Sequence, residues 1–130
     1  MDIIVCLDDK GGMLFNKRRQ SKDRAVLEDM KDCLCTPLTI DAFSEKLFAD
    51  SGIDYRVGEP EESGVFFAEN RKISEIVDTC ARIVIYKWNR IYPSDFKLDV
   101  DLSKEGFMLK STKDFKGSSH EKITREIYER

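Results

Sequence analysis

The sequence predicts an α/β fold of three layers. Its mostly parallel central sheet ends in a C-terminal antiparallel hairpin, and residues 1–130 read as one domain. Three observations predict this. Ile3–Leu7, Gly64–Ala68 and Ile83–Tyr86 are short apolar runs without alternation, as strands buried on both faces require. Segments with helical spacing separate such runs, so the strands they join run parallel. Phe107–Ser111 and Ile123–Tyr128 alternate more clearly, as a closing hairpin near a sheet edge should.

In chain order, Asp2–Leu7 is a central strand, ended by the turn residues Asp8-Asp9-Lys10-Gly11-Gly12. Met13-Leu14-Phe15 is a short apolar anchor, followed by the basic run Asn16-Lys17-Arg18-Arg19-Gln20. Ser21 is the expected N-cap of a helix over Lys22–Cys33, with Ala25, Val26, Asp29 and Met30 at helical spacing. A short strand, Thr36–Ile40, and a helix, Ala42–Ala49, follow, the helix with Phe43, Leu47 and Phe48 on one face. Ile53–Val57 alternates as a modest strand, and Gly58–Ser63 is a loop. After Glu69-Asn70 a helix is expected over Ile73–Cys80, with Ile73, Ile76, Val77 and Cys80 inward. The strand Arg82–Trp88 then leads to a Tyr92-Pro93-Ser94-Asp95 corner, and Lys113–His120 is the polar connection of the closing hairpin. No repeat, low-complexity tract or linker interrupts the chain.

The 130 residues suit a single core, and 41% hydrophobic with 36% charged residues suit a water-soluble globule. A formal charge of −3 exerts no global pull on nucleic acid or anionic membrane, so any anion site must be local. No apolar stretch approaches the roughly 20 residues of a membrane span. Met1–Val5 lacks the basic and apolar regions of a secretory signal, which predicts a cytoplasmic protein. Cys6 and Cys80 fall on apolar positions and read as small buried hydrophobes. Cys33-Leu34-Cys35 is spaced too tightly for paired zinc ligands, and no second pair follows. No metal and no cofactor is expected.

The opening strand, the turn Asp8–Asn16, the strand Ala81–Tyr86 with Tyr92-Pro93, and the ending Ile127-Tyr128-Glu129-Arg130 together resemble dihydrofolate reductase. The resemblance is loose over Met1–Pro37 and better over Gly64–Arg130. It implies that family's sheet and a substrate-orienting carboxylate on the first helix, where Asp23 or Glu28 could project. Asp23 on a first helical turn equally suits the positive end of the helix dipole. Against the family pattern, the turn after Gly64–Ala68 is Ala68-Glu69-Asn70-Arg71 rather than a run of glycines. Asp41-Ala42-Phe43-Ser44 stands where the resemblance implies Gly-Arg-Thr, and the segment between Phe48 and Gly64 is short for the family's adenosine-gripping helix and strand.

Three constellations could carry chemistry. Lys17, Arg18 and Arg19 form the densest cationic cluster, placed to hold a phosphate or carboxylate near a helix N-terminus, or simply solvated and paired with Glu28, Asp29 and Asp32. Tyr86, Trp88 and Arg90 share one alternation face if their strand continues, a platform for a planar anion. The other reading has Trp88 and Tyr92 capping the core and Arg90 paired with Asp95 or a glutamate. His120 reads as a turn or strand-start residue, since adjacent Glu121 would point to the opposite face. A single histidine argues against a metallo-hydrolase or zinc nuclease.

The expected function is a non-reductase binding or accessory domain for a small planar or phosphorylated ligand, using Lys17, Arg18, Arg19, Tyr86, Trp88 and Arg90. The alternatives are a pterin or folate reductase with a remodelled cofactor site and Asp23 as its acid, and a structural domain that self-associates through a sheet edge.

Overall fold

Apolar runs at Asp2–Leu7 (β1), Val65–Phe67 (β6) and Arg82–Lys87 (β7) become the centre of the sheet because each buries both of its faces. The computed structural model describes all 130 residues. The other strands are Gly12–Phe15 (β2), Arg18–Arg19 (β3), Leu38–Ile40 (β4), Tyr55–Val57 (β5), Phe96–Lys97 (β8), Met108–Phe115 (β9) and Ile123–Glu129 (β10). The helices are Arg24–Cys33 (α1) and Glu45–Phe48 (α2).

The main sheet runs β5-β4-β6-β1-β7-β10-β9. The first five strands are parallel, while β10 is antiparallel to both β7 and β9. A small sheet, β3-β2-β8, lies beyond it. The mostly parallel sheet and closing hairpin thus form as the apolar runs predict.

Alternate side chains divide the core between the two faces. Ile3, Val5, Leu7, Phe66, Ile83 and Ile85 join one cluster with Ile73 and Val77, against which Leu98, Val100 and Leu102 pack. Ile4, Phe67, Tyr86 and Trp88 join the other with Val26 and Met30 of α1 and Phe48 of α2. Connections leaving β1 and β4 therefore cross one face, and the connection leaving β6 crosses the other. In a parallel sheet that reversal opens a crevice at the C-terminal ends of the strands, here beside β6.

Several local expectations are corrected. The N-cap of α1 is Asp23, not Ser21: its extended backbone and its carboxylate, which accepts from the Ala25 N–H, start the helix two residues later. Ile73–Cys80 is two separate 3₁₀ turns, Ile73–Glu75 and Val77–Thr79, because Ile76 leaves helical geometry between them. Ala42–Ala49 splits into a 3₁₀ turn, Ala42–Ser44, and the single helical turn α2. β9 extends to Phe115, well into the expected polar connection, because Lys113, Asp114 and Phe115 pair with β10. The basic run lies on a hairpin rather than a helix start. Asn16 and Lys17, both at positive φ, form its two-residue turn, and Arg18 and Arg19 become β3.

Candidate functional site

The crevice beside β6 is where an open α/β sheet offers its ligand site. The residues that arrive there follow from the strand ends: Asp8 after β1, Ser44 after β4, Ala68-Glu69 after β6 and Trp88 after β7. Beneath them is a cavity of about 20 Å³, room for about one water molecule. Its polar wall is the consecutive run Arg19-Gln20-Ser21-Lys22-Asp23, and its apolar wall includes Met13, Leu27, Leu47, Phe67 and Trp88.

Glu69 fills the crevice. It is 7% exposed, and Arg19 grips its carboxylate with two guanidinium nitrogens: Nε to Oε1, and Nη2 to Oε2 at 2.7 Å. Ser44 Oγ donates to Oε2 at 2.6 Å. This is a bidentate carboxylate site completed by a hydroxyl, occupied by the chain's own side chain.

Asp8 ties the opposite rim together. Its carboxylate accepts the main-chain N–H groups of Lys10, Gly12 and Tyr92, together with Gln20 Nε2. Burial alone would raise its pKa, but these donors outweigh burial and hold it below the ordinary aspartate range.

The third cluster joins segments almost a hundred residues apart. Asp23 is 3% exposed. Its Oδ1 accepts Ala25 N–H at 2.8 Å, Ser118 N–H at 2.8 Å and the Ser118 hydroxyl at 2.9 Å. Its Oδ2 accepts Ser119 N–H at 3.0 Å and faces His120 Nδ1 at 2.9 Å. Burial works to raise the pKa of Asp23, yet the Ser118 and Ser119 amides, His120 and the Ser118 hydroxyl pull it far below the ordinary range. On the far side of the imidazole, Nε2 lies 2.8 Å from Tyr92 Oη and 3.2 Å from Ser21 Oγ. The ring stacks on Trp88, with centroids 4.9 Å apart. Gly117 permits this approach, since a Cβ there would fall 2.5 Å from Asp23 Oδ2 and 2.6 Å from the His120 carbonyl oxygen.

No family model matches the chain, and no curated protein matches it. Among solved structures it is similar to dihydrofolate reductase from Enterococcus faecalis complexed with NADP(H) and RAB-propyl, with a TM-score of 0.68. The match covers 99% of this chain and 95% of that one at 13% identity. The fold is dihydrofolate reductase-like. At that identity the likeness is one of architecture.

Within this dihydrofolate reductase-like frame the expected ligand residues do not converge as a set: Arg19 and Trp88 meet at the small cavity, and Trp88 and Arg90 at a separate cleft. Arg19 turns into the crevice, while Arg18 is exposed and Lys17 lines a separate hollow with Phe43, Asn70 and Asp95. Tyr86 shares the apolar face of Trp88 but lies deeper, and its hydroxyl donates to Asp29 at 2.8 Å. That carboxylate also receives Arg125 at 2.7 Å and Lys113 at 3.2 Å. The stacking face expected of Trp88 is taken by His120, with Trp88 itself buried. Arg90 does not continue the alternation, because β7 stops at Lys87 and Asn89 turns at φ 57°. Nor does Asp95 pair with Arg90: its carboxylate accepts the Asn16 N–H instead. Trp88 and Arg90 do share an open cleft of about 520 Å³ with Asn89, His120 and Lys122.

Sequence reasoning missed the roles of Ser44, Asp8 and His120. A Ser-Ser-His run after a glycine is ordinary turn composition, and nothing local shows that it meets Asp23. No group of three or more His, Cys, Asp or Glu side chains is arranged to hold a metal ion, and no helix is long and apolar enough to cross a membrane.

Proposed function

We propose that this chain is a non-reductase binding domain for a small anionic ligand, and that the ligand sits in the cleft formed by Trp88-Asn89-Arg90 and Ser119–Lys122. The observation that carries the first half is the Arg19–Glu69–Ser44 cluster. A dinucleotide's diphosphate placed at this crevice would meet a buried carboxylate where it needs bare main-chain N–H groups. Arg19 neutralises that carboxylate, so the pair offers a diphosphate neither free main-chain donors nor a free cation, and its bulk occupies the space the phosphates need. Asp23 supports the same reading. A carboxylate held ionised by five donors is a poor proton source for a pterin ring.

The second half rests on charge. Arg90 has no ion pair, and Lys122 has only a long, exposed contact of 3.9 Å to Asp114. Both cations line the same polar cleft at the C-terminal end of β7, together with the carboxylates of Asp9 and Glu121. The unpaired Arg90 and the loosely held Lys122, beside serine and asparagine side chains, suit one phosphate or carboxylate group, while Asp9 and Glu121 limit the negative charge the cleft accepts.

The test is a thermal-shift series with NADPH, folates, inorganic phosphate and a panel of sugar and nucleoside monophosphates. The expected result is no concentration-dependent rise with NADPH or folate. A rise is expected with at least one phosphorylated compound, and it should vanish in Arg90→Ala/Lys122→Ala. Stabilisation by NADPH, or reduction of dihydrofolate, would overturn the proposal.

One observation favours a second reading, self-association. Met108 and Leu109 on edge strand β9 are 65% and 50% exposed. Lys110 and Lys113 on the same strand oppose edge pairing. Light scattering across a concentration series decides: a strict monomer removes this reading.

A further inference from the structure

We propose that Ser21, His120 and Asp23 form a nucleophilic triad that cleaves short-chain esters, an activity beyond ligand binding. Three separate parts of the geometry assign it. Ser21 Oγ lies 3.2 Å from His120 Nε2, and His120 Nδ1 lies 2.9 Å from Asp23 Oδ2, so hydroxyl, imidazole and carboxylate stand in the order a nucleophile, its base and an orienting acid require. Asp23 is ionised and fixed by main-chain N–H groups, so the proton of a neutral imidazole sits on Nδ1 and leaves Nε2 as the acceptor. The ring cannot swing away, because Trp88 stacks on its face and Tyr92 meets it edge-on.

The surroundings point to a small reacting group. Ser21 is half-buried and lines the cavity of about 20 Å³, room for about one water molecule, which limits any acyl group beside Oγ to the smallest. Gln20 lines the same cavity, and its Oε1 is buried without a hydrogen-bond partner, an acceptor waiting for a donor on substrate or water. The main-chain N–H groups of Lys22 and Asp23, which follow the nucleophile, make no hydrogen bond within the chain. Tyr92 Oη, 2.8 Å from Nε2 and 3.5 Å from Ser21 Oγ, competes with the serine for the one Nε2 lone pair, and turning its proton to Ser21 Oγ frees that lone pair.

In the first half-reaction Ser21 Oγ bonds to the ester carbonyl carbon and its proton passes to His120 Nε2. The carbon–oxygen bond to the alcohol then breaks, and the alcohol leaves with the proton from Nε2. In the second half-reaction water attacks the acyl-serine and gives a proton to Nε2. The acid departs, and that proton returns to Ser21 Oγ. The sum is ester plus water to acid plus alcohol, with no other reactant.

The experiment treats the full chain with a fluorophosphonate probe and, separately, follows p-nitrophenyl acetate hydrolysis. The expected result is one covalent adduct, mapped to Ser21, and ester turnover at least tenfold above buffer. Ser21→Ala should lose both while retaining the wild-type circular dichroism spectrum and melting temperature within a few degrees. His120→Gln provides a second variant: it should slow labelling by at least a hundredfold even where Ser21 remains. No adduct on the wild-type chain, or an adduct that persists in Ser21→Ala, would overturn the proposal. The anion-cleft proposal is scored by ligand-dependent melting alone, so each can fail while the other stands.

Discussion

Replacing Asp23 by Asn tests how this fold uses its buried carboxylate. The Oδ1 position keeps its acceptor, but an amide NH₂ then stands where Oδ2 receives Ser119 N–H and faces His120 Nδ1. Two donors lose their partner, each at about 1–3 kcal/mol, and the remaining hydrogen bonds lose their charge assistance. A total near 4 kcal/mol follows, in the range seen when a buried charge cluster loses one member. At about 2.1 cal/mol/K per residue, 130 residues give an unfolding entropy near 0.27 kcal/mol/K, so the loss lowers Tm by about 15 °C. Thermal and urea unfolding followed by circular dichroism measure it directly. A carboxylate strained in readiness for a substrate behaves oppositely, since its removal is neutral or stabilising. A loss of less than about 1 kcal/mol, or a gain, would refute the reasoning that Asp23 clamps residues 117–120 onto the start of α1.

Acid titration should cost the wild type more than Asp23→Asn: the folded pKa of Asp23 is depressed, so its contribution is complete above the unfolded value near 3.9 and is lost as the pH falls below it. Melting curves at pH 7 and pH 3 should therefore converge between the two proteins, and parallel curves would contradict the shift. Glu69→Gln should release the Arg19 guanidinium from its ion pair for phosphate-bearing ligands, with a gain of about ten- to a hundredfold in Kd, and calorimetry showing no gain would separate Glu69 from the crevice's selectivity. Gly117→Ala should destabilise by about 1–3 kcal/mol through overpacking against Asp23 and the His120 carbonyl, measured as a shift in urea midpoint. Asn89→Val should cost about 1–2 kcal/mol or more, because a β-branched residue resists positive φ and the bonds to Lys122 and Thr124 are lost.

The sheet was legible because its central strands, Ile3–Leu7 and Ile83–Tyr86, are apolar on both faces, a pattern that few positions in a sheet permit. The hairpin of β9 and β10 was legible in position, although β9 runs four residues further than its alternation suggested. Residues 73–80 carry helical spacing, but only two turns form, since packing against the sheet rather than propensity decides so short a segment. The site was less legible. Asp23 was singled out from the resemblance, yet its partners other than Ala25 lie beyond residue 116, and hydrogen bonds across such distances leave no periodic trace in a sequence. The cationic cluster was visible, but its division between an inward Arg19 and outward Arg18 depends on a two-residue turn that reverses the chain at Asn16-Lys17.

The donors that secure the first turn of α1 lie 95 to 97 positions further along the chain. During synthesis on a ribosome the N-terminal half emerges without them, and a helix of ten residues has little persistence by itself. β1, too, awaits β6 and β7 for its neighbours. The centre of the sheet and the start of α1 can therefore be completed only after β7 and residues 118–120 have been made, long after β1 itself.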